Sequence, residues 1–144
     1  MNQILWMGNS TSCDNFLKTD GRFDARLLRS LDATSGLFSQ SKSLRANGYV
    51  AAVLEGEVDS NGIFTYNFQD SDPSSLERVQ KHLYELRSNA AAFRDVPIIL
   101  ATSSPTHALA YQKSVVGDLV STVALVSHEP GNYAGLTSAL DKYR

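Results

Sequence analysis

The stretch Pro97-Ile98-Ile99-Leu100-Ala101-Thr102-Ser103 decides the fold, and Tyr49-Val50-Ala51-Ala52-Val53-Leu54-Glu55 repeats its design. Each is a short apolar run without alternation, and each ends abruptly in a residue able to do chemistry. A strand apolar on both sides is buried on both faces, which is the habit of a parallel sheet covered by helices. In such a sheet, ligands and reacting groups gather outside the carboxyl ends of the strands. Glu55 and Thr102 are therefore expected at the working edge.

Working outward, Ile4-Leu5-Trp6-Met7 reads as the first strand, stopped by the polar turn Gly8-Asn9-Ser10-Thr11-Ser12. A helix is expected between Ser12 and Ala33, divided by Asp20-Gly21, with its best apolar stripe on Phe23, Leu27, Leu28 and Leu31. Gly36 to Gln40 is expected as a second strand, and Ser41 to Asn47 as a short helix closed by Asn47-Gly48. Beyond Glu55, the turn Asn61-Gly62 and the alternation from Ile63 to Phe68 predict a small hairpin, or a loop carrying aromatics, within 57–71.

Asp72-Pro73 supplies an N-cap and a first-turn proline. The helix it opens runs to about Phe93, with Leu76, Val79, Leu83, Leu86, Ala90 and Phe93 on one face. A short helix over Thr106 to Lys113, a strand over Ser121 to Val126 and a closing helix over Asn132 to Tyr143 complete the chain. Strands that alternate with helices argue for an α/β domain. The expected architecture is a flavodoxin-like, doubly wound, five-stranded parallel sheet in order 2-1-3-4-5, helices on both faces, with the hairpin or loop inserted after strand 3. One domain covering 1–144 accounts for all of it.

Composition narrows the class. With 42% hydrophobic and 19% charged residues the chain is an ordinary globular one. A net charge of −2 provides no basic field for nucleic acid, and Arg22, Arg26 and Arg29 read as a solvated helix face. The single cysteine, Cys13, excludes an internal disulfide framework and a multi-cysteine zinc site. No apolar run approaches the ~20 residues that span a bilayer, and no secretory leader is expected. A cytoplasmic protein is the expectation.

Three matches in order along the chain resemble the receiver domain of two-component response regulators. Pro97 to Ser103 is similar to the receiver's fourth strand, which opens with proline and ends in a switch Thr or Ser followed by a small residue. Tyr49 to Glu55 is similar to its third strand, and Glu55 occupies the place of the phosphoacceptor aspartate. Val126-Ser127-His128-Glu129-Pro130 is similar to the end of the fifth strand, where Lys-Pro is usual. The resemblance implies a switch pocket of Gly8, Asn9, Glu55, Thr102, His128 and Glu129. It also implies a regulatory module of two-component signalling or transcription regulation, controlling an attached output domain or a protein partner.

The departures carry the functional expectation. The acids that hold Mg²⁺ in receivers are replaced by Met7-Gly8-Asn9-Ser10, and hard cations want oxygen ligands, preferably anionic. Glu55 is one methylene longer than aspartate, and the lysine place holds His128 or Glu129. The expectation is a degenerate receiver that is non-catalytic, independent of phosphorylation, without cofactor or metal, and active through protein contacts, in which Glu55 accepts a hydrogen bond from Thr102. A homodimer formed by the last two helices fits this reading, with Phe64, Tyr66, Phe68, Tyr111 and Tyr133 as candidate partner contacts. The plainer alternative makes Glu55 a solvated strand-end carboxylate.

Other constellations are weaker. Gly8 to Ser12 could cradle the phosphate of a flavin or nucleotide, but lacks a second glycine. An atypical phosphoacceptor receiver remains the other rival. Cys13 is followed by no Cys-x₅-Arg loop and reads as a buried thiol. His82, His107 and His128 share no metal-ligand spacing. Ser103-Ser104 with His107 and Asp118 lacks the Gly-x-Ser-x-Gly elbow of hydrolases, so no enzyme is expected.

Overall fold

Four residues at the start of the chain set the frame. Ile4, Leu5, Trp6 and Met7 are all 0% exposed, so consecutive side chains are buried on opposite faces of one strand. A computed structural model describes residues 2–30, 33, 48–58, 64–68, 96–103, 122–125 and 133–142, with backbone alone at 58, 64 and 122–125. Among these residues it shows a mixed α/β arrangement: a mostly parallel sheet and two helices.

The elements in chain order are β1 (Asn2–Met7), α1 (Ser10–Thr19), β2 (Phe23–Leu28), β3 (Tyr49–Val58), β4 (Phe64–Tyr66), β5 (Ile98–Thr102), β6 (Thr122–Leu125) and α2 (Ala134–Asp141). The sheet order is β2-β1-β3-β5-β6, and β4 pairs with β3 off this path. Every pair on the path is parallel: Met7 lies opposite Leu28 and Leu54, Glu55 opposite Ala101, and Thr102 opposite Leu125. β4 is antiparallel, with Gly56 opposite Tyr66 and Glu57 opposite Thr65.

Helix α1 starts where Asn9, in extended conformation, turns its side chain back to accept from Thr11 N–H at 2.8 Å. It ends at Asp20, also extended, whose N–H reaches the Phe16 carbonyl. Phe16 seats the helix on the sheet, its ring 5.7 Å from Trp6, 6.0 Å from Phe23 and, edge-on, 5.9 Å from Tyr133. Leu136, Ala139 and Leu140 of α2 join the same core, with Ile4, Trp6, Ala51, Val53, Ile99 and Ala101 as its floor. The opposite sheet face, with Leu5, Met7, Ala52, Leu54, Ile98 and Leu100, is equally buried. Arg22 pins the ends of the two helices together: it grips Asp20 bidentately at 2.7 and 2.8 Å and reaches Asp141 at 2.9 Å.

Three expectations change. The stripe Phe23, Leu27, Leu28 is not a helix face. Asp20 and Gly21 end α1 early, and Phe23–Leu28 becomes β2, with Phe23, Ala25 and Leu27 turned to the core. The strand beside β1 is thus this segment, while the one expected at Gly36 to Gln40 lies outside the described residues. Strand β3 also does not stop at Glu55; it continues to Val58 and pairs with β4, so the hairpin grows out of the strand itself. The helices expected at 73–93 and 106–113, and the Asn61-Gly62 turn, lie outside the described residues.

Candidate functional site

Ala51, Val53, Glu55 and Glu57 point to one face of β3 by the period-two rule. The first two enter the core beside Trp6. Glu55 comes next, and it is 1% exposed. A buried carboxylate is costly unless it is paired and hydrogen-bonded, and this one is held by β1 and α1. Its Oε1 accepts from the Trp6 indole N–H at 2.9 Å and from the Asn9 backbone N–H at 2.9 Å.

Asn9 is the N-cap of α1, and the first turn of that helix has no acidic residue. Glu55 brings a carboxylate from another strand to the positive end of the helix dipole. The glycine at 8 follows from the same geometry, since a Cβ there would stand 2.6 Å from both Cβ and Oε1 of Glu55. Gly8 is therefore the clearance that lets β1 pass the carboxylate.

The charge is felt by its neighbours. Cys13, one turn into α1, is a buried free thiol. Its pKa is pushed from 9.0 up to about 12, first by burial, then by Asp14, Glu55 and Asp24. Such a thiol is not a nucleophile at neutral pH. Burial also raises the Tyr133 hydroxyl, with the Asn15 hydrogen bond opposing and Glu55 and Cys13 adding to the rise.

A second polar group lies along the same edge. Glu57 accepts from the Ser103 hydroxyl at 2.7 Å on both carboxylate oxygens, from the Asn67 amide at 3.3 Å and more loosely from the Thr102 hydroxyl at 3.5 Å. Asn67 N–H also donates to the Glu55 carbonyl at 3.1 Å, which carries the β3–β4 ladder one step further. Beside it the rings of Tyr66 and Phe68 stack with centroids 4.6 Å apart.

The structure therefore brings Gly8, Asn9 and Glu55 together and seats Thr102 with Glu57. Across the sheet Glu55 lies opposite Ala101, the residue before Thr102, and the Thr102 hydroxyl reaches Glu57 at 3.5 Å. The reading of Glu55 as a solvated strand end is overturned by its burial. Tyr133, 0% exposed, and Tyr66, 5% exposed, are corrected as partner contacts because their rings are inside the molecule; Phe68 is half-buried. Phe64 is placed by backbone alone, opposite Val58. His128, Glu129 and Tyr111 lie outside the described residues.

Sequence reasoning missed Trp6, Glu57, Asn67 and Ser103 as site residues. The available signal was the period of two beyond Glu55, which puts Glu57 on the same face. Among the described residues no group of three or more His, Cys, Asp or Glu could hold a metal ion, and no helix is long and apolar enough to cross a membrane. No known family model matches the chain, and no curated protein matches it.

Proposed function

We propose that the chain is a degenerate receiver-like regulatory module, acting through protein–protein contact without phosphoryl transfer. The observation that carries this reading is the engagement of Glu55. At the phosphoacceptor place stands a carboxylate that is 1% exposed and committed to Trp6 and to the N-terminus of α1. An acceptor must meet its phosphoryl donor in line with an open trajectory, and Glu55 offers none. The sheet supports the finer architecture: β2-β1-β3-β5-β6 becomes 2-1-3-4-5 when the antiparallel β4 is set aside, which is the flavodoxin-like order.

In this reading Glu57 does what Glu55 was expected to do. Its carboxylate sits against the hydroxyls of Thr102 and Ser103, where a receiver's switch residue would meet a phosphoryl group, and it fixes one state permanently. The output is a protein partner or an attached domain, in the cytoplasm, with no cofactor. The rival flavin- or nucleotide-phosphate site at Gly8 to Ser12 is disfavoured because Glu55 takes the Asn9 N–H and the Asn9 side chain takes the Thr11 N–H.

Incubation with acetyl phosphate and Mg²⁺, read by intact mass, tests the proposal. The expected result is an unchanged mass, with Trp6 fluorescence flat across a Mg²⁺ titration. Gain of one phosphoryl group, or a saturable fluorescence change removed by Glu55→Gln, overturns it. A yellow purified protein would favour the flavin rival instead.

A further inference from the structure

β2 is the end strand of the sheet: β1 pairs with one side, and among the described residues no strand pairs with the other. The direction of its backbone groups follows from one bond. The Leu28 carbonyl accepts from Gly8 N–H at 3.2 Å, so Leu28, Arg26 and Asp24 turn their peptide groups toward β1. Phe23, Ala25 and Leu27 turn theirs outward. Consistent with this, Ala25 N–H is met at 2.9 Å by Oδ1 of its own neighbour Asp24. That oxygen stands where the carbonyl of an incoming strand would accept. An open row of such groups is a template for another strand.

We infer that the outer edge of β2 is a homodimer contact, in which a second copy of this chain adds its own β2 antiparallel and the two sheets become continuous. The sequence across the edge is self-complementary about Ala25. In an antiparallel pair with a two-fold axis at Ala25, the two Ala25 residues exchange both hydrogen bonds, and Phe23 and Leu27 exchange theirs crosswise. The same register puts Asp24 of one copy opposite Arg26 of the other, twice, in the closer, non-hydrogen-bonded positions. Both side chains are exposed, and neither enters an ion pair among the described residues. On pairing, Asp24 releases the Ala25 N–H to the second copy's carbonyl and turns to that copy's Arg26. A parallel arrangement or a one-residue slip loses both charge pairs, so the pattern selects this register. The contact is made by a strand edge, not by the last two helices, and is independent of the receiver-like reading.

Sedimentation of the full chain, with hydrogen exchange resolved to single amides, tests the inference. The expected species has about twice the 15.7 kDa chain mass, with Ala25 and Leu27 amides protected in it and exposed on dilution. Arg26→Asp sets Asp against Asp24 at both crossings and should weaken association at least tenfold. Asp24→Arg combined with Arg26→Asp restores the pairing and should recover it. Ala25→Pro removes an N–H that points away from β1, which an edge strand tolerates, and should give a folded monomer. A chain that stays monomeric at the highest attainable concentration overturns the inference. So does a dimer indifferent to Ala25→Pro and to the charge reversal.

Discussion

Glu55 and Glu57 project from the same face of β3, two residues apart, one 1% exposed with its Oε1 fixed by Trp6 and the α1 N-terminus, the other half-buried at the rim among Ser103, Asn67 and Thr102. One step of the β-strand pleat separates a carboxylate built into the frame from one within reach of solvent. The partners differ in kind as well as in depth. Glu55 is held by a rigid indole and a peptide N–H, which cannot leave without moving β1 or α1. Glu57 is held by a rotatable hydroxyl and a side-chain amide, which can exchange for water. Burial of a charge thus makes Glu55 a joint between three elements, whereas Glu57, at the rim, can answer a change at the edge.

The largest expected difference is in stability. Glu55→Ala strands the Trp6 and Asn9 N–H donors in a dry site, at about 1–3 kcal/mol each. Urea unfolding should show a loss of about 3 kcal/mol, with Glu55→Gln, which keeps an acceptor oxygen, losing less than half of that. Equal costs for Glu55→Ala and Glu57→Ala would break the comparison.

Gly8→Ala tests the same joint from the other side. With a contact of 2.6 Å something must move, so a cost of about 2 kcal/mol is expected, as for overpacking. In a Glu55→Gly background, which removes both Cβ and Oε1, that cost should largely vanish, because contacting residues are coupled. A cost that persists unchanged would mean the strain lies elsewhere.

Cys13 sharpens the contrast through pH. Its pKa rises from 9.0 in the unfolded chain to about 12 when folded, chiefly through burial, with Asp14 and then Glu55 adding to the rise. A raised folded value contributes stability that is fully present below pH 9 and lost as pH climbs through about 12. Alkaline unfolding in that window should therefore ease in Cys13→Ser. Thiol-labelling profiles should shift to lower pH in Glu55→Gln and stay put in Glu57→Gln. A shift of equal size in both would erase the distinction between the two carboxylates.

The smallest effect belongs to the rim. Glu57→Ala should cost at most about 1 kcal/mol, the range for partly exposed polar contacts. Its signature is in mobility: faster amide exchange at Asn67 and Ser103, with Trp6 undisturbed.

The frame was legible wherever burial on both faces left an unbroken apolar run. Ile4 to Met7, Tyr49 to Leu54 and Ile98 to Ala101 stand where the sequence reading puts them, as does the closing helix at Leu136 and Leu140. β2 was hidden because an edge strand carries charge: Asp24 and Arg26 break the apolar run, and what remains of it mimics a helical stripe. Half of the site was legible too. Gly8, Asn9 and Glu55 follow from their places at strand ends, whereas the Trp6 bond depends on which face an indole turns to. Glu57 was hidden by the assumption that a strand ends at its first charged residue. Here two acids continue the strand because one is satisfied inside and the other at the rim.

The parallel sheet also has a history in time. β1 is made before β3, and Met7 meets Leu54, its partner there, only 47 residues later. At synthesis rates of roughly 5–20 residues per second, the ribosome delivers that partner roughly 2–9 s after Met7. Until then the driest strand of the finished protein has at most one neighbour, the charged edge β2. A nascent chain stalled before Tyr49 should therefore bind chaperones that bury apolar segments, and one stalled well past Thr102 should be released from them.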